Sequence, residues 1–132
     1  MSRTRAVNPW KWQDAYGFSQ AVEVQDGGRW LVCAGQTSVD ANGKPLHPGD
    51  MVAQLHQAFD NLEAVLKAAG MTLGDVVRLN YYTTDVAGYL KASGEVAKRF
   101  SADRPPPAGT LLGVASLAFP DILLEIEATA CA

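Results

Sequence analysis

Near the end of the chain two carboxylates, Glu125 and Glu127, stand two residues apart in an otherwise apolar run from Ile122 to Cys131. On a strand that spacing puts both side chains on one face, with Leu124, Ile126 and Ala128 on the other. Two carboxylates held close can have their pKa values driven apart, which creates separate acid and base roles. The same spacing also suits a solvated edge or a pair of salt bridges. Other reactive side chains are sparse. Cys33 and Cys131 lie in apolar strand-like runs and read as thiols outside any disulfide, packing as small hydrophobes. A nucleophilic cysteine needs a nearby base or cation, and neither His47 nor His56 forms a local motif with Cys33. His56 falls on the polar side of a helix. Two histidines and two cysteines at wide, unpatterned spacing give no metal signature. There is no glycine-rich phosphate loop or nucleophile elbow.

The elements that must position the two glutamates follow from periodicity. Residues 1–15 read as an irregular, aromatic lead-in. Gln20 to Val24 alternates as a strand, Asp26-Gly27-Gly28 reverses the chain, and Arg29 to Ala34 is its expected hairpin partner. Asp50 is placed to cap a helix whose Leu55, Phe59, Leu62 and Leu66 recur on one face, with Gly70 just past its end. Asp75 opens a strand through Thr83, with Val77, Leu79, Tyr81 and Thr83 on one side and Val76, Arg78, Asn80 and Tyr82 on the other. Asp85 caps a second helix through Phe100. Arg104-Pro105-Pro106-Pro107 cannot be helical. Two strands, Ala108 to Ala118 and Ile122 to Cys131, close the chain.

The order β-β-α-β-α-β-β predicts an α+β fold with two helices on one face of a mixed sheet. The strands at 29–34 and 76–83 carry apolar residues on both sides, so the face away from the helices needs cover. Symmetric self-association is the economical answer. The chain has 132 residues, enough for one core and one domain, 1–132. Its 48% hydrophobic and 19% charged residues mark it as globular. A net charge of -3 lacks the basic stripe that nucleic acid requires. No apolar run reaches the ~20 residues of a membrane span. No apolar stretch follows Met1-Ser2-Arg3-Thr4-Arg5, so no signal peptide is expected, and the expected location is cytoplasmic.

Six segments in order then resemble the Rid/YjgF family, the reactive intermediate deaminases. They are Gly17-Phe18-Ser19-Gln20-Ala21-Val22, Leu31-Val32-Cys33-Ala34-Gly35-Gln36, Gln57-Ala58-Phe59-Asp60-Asn61-Leu62 with Ala68-Ala69-Gly70, Gly74-Asp75-Val76-Val77-Arg78, Pro107-Ala108-Gly109-Thr110 and Leu124-Glu125-Ile126-Glu127-Ala128-Thr129-Ala130. The resemblance implies a chorismate-mutase-like fold, a homotrimer with a ligand cleft at each subunit boundary, and hydrolysis of imines or enamines such as 2-aminoacrylate without a cofactor. It implies a small-molecule partner, with neither nucleic acid nor membrane. Family members are also described as ribonucleases, which the acidic charge here does not favour.

Carried over residue by residue, the resemblance marks Glu127 as the catalytic carboxylate that positions water. The ligand-binding positions it implies are Phe18, Ala34, Gly35, Tyr89, Ser93, Gly109 and Thr110. Three of these depart from the family pattern. Gly109 stands where an arginine binds the substrate carboxylate, Phe18 where a tyrosine stands, and Ala34 where a small polar residue stands. Loss of a charge-assisted clamp costs about 1.5–3 kcal/mol per hydrogen bond. A ligand without a carboxylate would suit such a cleft. The implied function is therefore a Rid-like hydrolase, or alternatively a non-catalytic trimer that binds a metabolite or regulates.

Overall fold

The α1 helix runs from Met51 to Ala68 because its apolar residues form a single stripe. Leu55, Phe59, Leu62 and Leu66 are all fully buried, each contributing roughly 1.5–3 kcal/mol. The Asp50 carboxylate accepts a hydrogen bond from Ala53 N at 3.0 Å at the start. Gly70, at φ 72°, ends the helix in the left-handed region that glycine enters without cost. The second helix, α2, spans only Val86–Ala92. Asp85 caps it as expected, accepting from Gly88 N at 2.9 Å. The helix expected to reach Phe100 instead tightens to a 3-10 stretch over Ser93–Arg99. Gly94 lies in that stretch, and glycine costs about 1 kcal/mol relative to alanine in an α-helix.

The computed structural model describes residues 3–132; Met1 and Ser2, at the head of the expected lead-in, lie outside the described residues. Six strands are present among the described residues: β1 Arg3–Val7, β2 Ala21–Gln25, β3 Trp30–Val32, β4 Val76–Thr83, β5 Leu111–Gly113 and β6 Leu124–Cys131. They form a two-stranded ribbon, β1 with β2, and a mixed four-stranded sheet in the order β3, β6, β4, β5. Only the β4–β5 pair is parallel. Both helices cover one face, in an α+β layering with Leu124, Ile126, Ala128 and Ala130 of β6 in the core.

Four expectations change. The hairpin between residues 20–24 and 29–34 does not form. Instead β2 pairs with β1, from Arg3 opposite Gln25 to Val7 opposite Ala21, and β3 pairs with β6. Asp26, at φ 55°, and the glycines after it turn a corner from the ribbon onto the sheet rather than closing a hairpin. Position 27 packs against Cys131, where a Cβ would meet the thiol sulfur at 3.1 Å. The lead-in is thus partly a strand, joined to β2 by an Arg5–Glu23 ion pair at 2.9 Å. The strand expected over 108–118 is regular only at Leu111–Gly113. Finally, the uncovered face of β4 is polar, carrying Arg78, Asn80 and Tyr82, while its apolar fringe is Val32 and Leu112. Among the described residues no helix is long and apolar enough to cross a membrane.

Candidate active site

Strand β6 alternates cleanly. Its even-numbered residues from Leu124 to Ala130 are buried, and Glu125, Glu127 and Thr129 look out on the open face. The antiparallel register sets Tyr82 opposite Glu125, Asn80 opposite Glu127 and Arg78 opposite Thr129. Such pairs bring side chains about 4.5–5.5 Å apart at Cβ. Leu112 of β5 flanks Tyr82, and Val32 of β3 flanks Thr129. A patch of two carboxylates, one guanidinium, a phenol and an amide therefore occupies the middle of an exposed sheet.

Glu127 is held on one oxygen. Tyr82 OH donates to its Oε1 at 2.6 Å and Asn80 Nδ2 to the same atom at 3.1 Å. Oε2 has no hydrogen-bond partner among the described residues. Thr110 N donates to Asn80 Oδ1 at 3.0 Å, which fixes the amide orientation. The Tyr82 hydrogen bond, then that of Asn80, holds the Glu127 carboxyl below the usual carboxylate range. The same bond raises the Tyr82 phenol. Because the folded pKa is depressed, any stability these bonds add is present at neutral pH and fades as pH falls through the folded value. Tyr82→Phe should therefore move the Glu127 carboxyl pKa upward, read by carbon-detected NMR titration; an unchanged value would show that the Tyr82 bond does not set it.

Glu125 is different. It accepts no hydrogen bond among the described residues, and its carboxyl group lies directly over Gly35. A Cβ at position 35 would fall 1.8 Å from Glu125 Oε1. The segment after β3 runs beside β6 here, with Gln36 N donating to Ile126 O at 2.6 Å and Ile126 N to Gln36 O at 2.9 Å. Gly35 is thus the seat of the Glu125 carboxylate.

Gly109 is closed to any side chain. It lies flush against β4, where a Cβ would stand 1.8 Å from Leu79 O and 2.8 Å from Leu79 C. The hydrogen bonds Leu79 N to Ala108 O and Tyr81 N to Thr110 O, both 2.8 Å, hold it there.

Of the residues expected at the site, Ala34, Gly35, Glu127 and Thr110 come to this face or its borders, with Gly109 beside it. Phe18 lies next to Ser19, which bonds to Pro106 O and Pro107 O at the head of the Gly109 segment. Its ring packs edge-on against Trp12 at 5.7 Å. Tyr89 and Ser93 are not brought to the face. Tyr89 is buried on the helix side against Tyr81, its phenol pushed up to about 12 by burial, and Ser93 donates to Leu90 O. Cys33 is buried, which raises its thiol, and neither cysteine is in a disulfide. Local sequence spacing does not mark Asn80 and Tyr82 as site residues. Their signal was the polar alternation of Arg78, Asn80 and Tyr82 along a strand flanked by apolar residues. Two shallow depressions among the described residues lie elsewhere, one around Asp50, Val52 and Lys91, the other around Thr72, Arg99 and Arg104.

The Endoribonuclease L-PSP family model matches residues 12–132. A RutC family protein of Pyrococcus horikoshii is 34% identical over 86% of this chain and 85% of its own length. The 2-iminobutanoate/2-iminopropanoate deaminase of Escherichia coli is 30% identical over 83% of this chain and 84% of its own. Among solved structures, the Rid family protein YyfB of Yersinia pestis, of unknown function, superposes with a TM-score of 0.87 at 41% identity, covering 98% of each chain.

Proposed function

The chain belongs to the endoribonuclease L-PSP family, the Rid/YjgF proteins, and from that premise we propose that it hydrolyses the C=N bond of a small imine on the Glu125–Glu127 face. The observation that carries the reading is the division of labour between the two carboxylates. Glu127 is pinned by Tyr82 and Asn80. Glu125 is left without donors over a glycine that makes room for it.

In this proposal Glu125 takes a proton from water as the water oxygen bonds to the imine carbon and the C=N π pair moves to nitrogen. The same carboxyl returns the proton to the amine; then, as the C–N bond breaks and its electron pair leaves with ammonia, a hydroxyl lone pair forms the C=O bond and the hydroxyl proton passes to the Glu125 carboxylate, so that ketone and ammonia leave. Glu127 is a positioning residue: a fixed negative charge that favours the protonated, more electrophilic iminium. Water activation thus moves from Glu127, where the sequence reading put it, to its neighbour, because a carboxylate whose favoured oxygen already accepts two hydrogen bonds is the weaker base. Ammonia release from freshly generated 2-iminopropanoate, above the rate in buffer, is the expected result; a rate equal to buffer would reject the activity.

An open sheet face is not a cleft, and the proposal includes a homotrimer in which neighbouring subunits cover this face and exclude water. Support comes from the large exposure of Val32, 80%, at the edge of the polar patch. Light scattering should give three times the 14.1 kDa chain mass, and Val32→Arg should lower it. A single-chain mass at micromolar concentration would contradict the assembly. The closure of Gly109 favours a second reading, a trimer that binds a metabolite without turnover. A ligand that binds tightly and is never consumed would select it.

A further inference from the structure

Gly109 offers no cation to a substrate, yet one guanidinium stands on the proposed catalytic face. Arg78 lies on β4 between Thr129 of β6 on one side and Ala108, the residue before Gly109, on the other. It shares the face of Asn80 and Tyr82 and is exposed. Among the described residues its guanidinium makes no hydrogen bond, ion pair or ring contact. The neighbouring arginines are all committed. Arg99 pairs with Asp60 and Glu63 at 2.8 and 2.6 Å and lies over the Phe59 ring. Arg104 faces Asp75 at 3.8 Å, and Arg29 donates to Ala69 O.

We propose that Arg78 binds the substrate carboxylate, supplying from β4 the guanidinium that glycine removes from the adjacent strand. The substrate is then an anionic 2-imino acid, not the carboxylate-free ligand that the sequence suggested. The chemistry is consistent on three counts. A guanidinium binds a carboxylate through two parallel hydrogen bonds, which fixes orientation as well as position. An anion beside Glu125 and Glu127 would be repelled without a cation, and Arg78 is the one that β4 aims onto this face. Arg78 and Glu127 are also diagonal neighbours across β4 and β6, a separation of about 7–8 Å between backbones, which leaves room for a three- or four-carbon acid between the two head groups.

The inference rests on the reading that this face is the ligand site, so its test uses binding, not turnover. The probe is 2-oxobutanoate, an inert keto analogue, titrated calorimetrically into the full-length assembly, with 2-oxobutanamide as the neutral control. Wild type should bind the acid at least tenfold more tightly than the amide. Arg78→Ala should abolish that preference, and Arg78→Lys should restore part of it, since an ammonium keeps the charge but not the paired donors. Should Arg78→Ala alter the melting curve, the Arg78→Lys comparison carries the test. Equal binding of the acid by wild type and Arg78→Ala would overturn the proposal, as would an acid that wild type does not bind at millimolar concentration. Binding that depends on Arg78 without any ammonia release would sustain this inference while rejecting the hydrolase.

Discussion

Gly109→Arg, which would put a guanidinium where the family pattern has one, should unfold the protein more readily and fail to create a substrate clamp. The Cβ alone would stand 1.8 Å from Leu79 O, a backbone atom with no freedom to swing aside. Room can come only from moving the 107–110 segment off β4. That movement breaks the bonds from Leu79 N to Ala108 O and from Tyr81 N to Thr110 O. Overpacking costs about 1–3 kcal/mol and each lost hydrogen bond about 1 kcal/mol. The sum is about 3–5 kcal/mol, a fall in Tm of roughly 10–20 °C for a chain of this size. Gly109→Ala should show most of the same loss, because the first carbon makes the clash. Thermal melts of both variants check this; a Gly109→Arg protein as stable as wild type would mean that the strand approach is not fixed.

The second large effect is on chemistry. Glu125→Gln should lower kcat/KM on an imine by roughly 10²–10⁴-fold, the range for removing a general acid–base group. Glu127→Gln should cost less, since the amide oxygen can still accept from Tyr82 and Asn80. Gly35→Ala provides a test that leaves both carboxylates in place. Its new Cβ would occupy the position of the Glu125 carboxyl, and a flexible side-chain end can move away at little cost in stability. Displacing a reacting group by an ångström can cost roughly 10²-fold. Gly35→Ala should therefore lose activity while keeping its Tm. Steady-state kinetics and melting curves on the three variants separate the roles; full activity in Glu125→Gln would return the role to Glu127.

Local chemistry made part of this structure legible from the sequence. The Asp50 cap, the Leu55–Leu66 stripe and the Gly70 stop are decided within one helix, and they stand where expected. The shared face of Glu125 and Glu127 is likewise a property of one strand. Features that depend on partners were not legible. Arg3–Val7 is too polar and short to announce a strand, and only pairing with β2 makes it one. The β2–β3 corner looks like a hairpin turn until β6 captures β3. Tyr82 and Asn80 reach Glu127 through an antiparallel register that no local spacing encodes. Gly109 reads as a lost side chain in the sequence; the approach of Leu79 shows a position that excludes one.

The crystal structure of the assembly with 2-oxobutanoate bound tests most directly whether this face is the site. The keto carbon should lie on the open face of β6 beside Glu125, at a boundary between two subunits. Ligand found only in the depression lined by Asp50, Val52, Gly88 and Lys91, away from β6, would contradict the account.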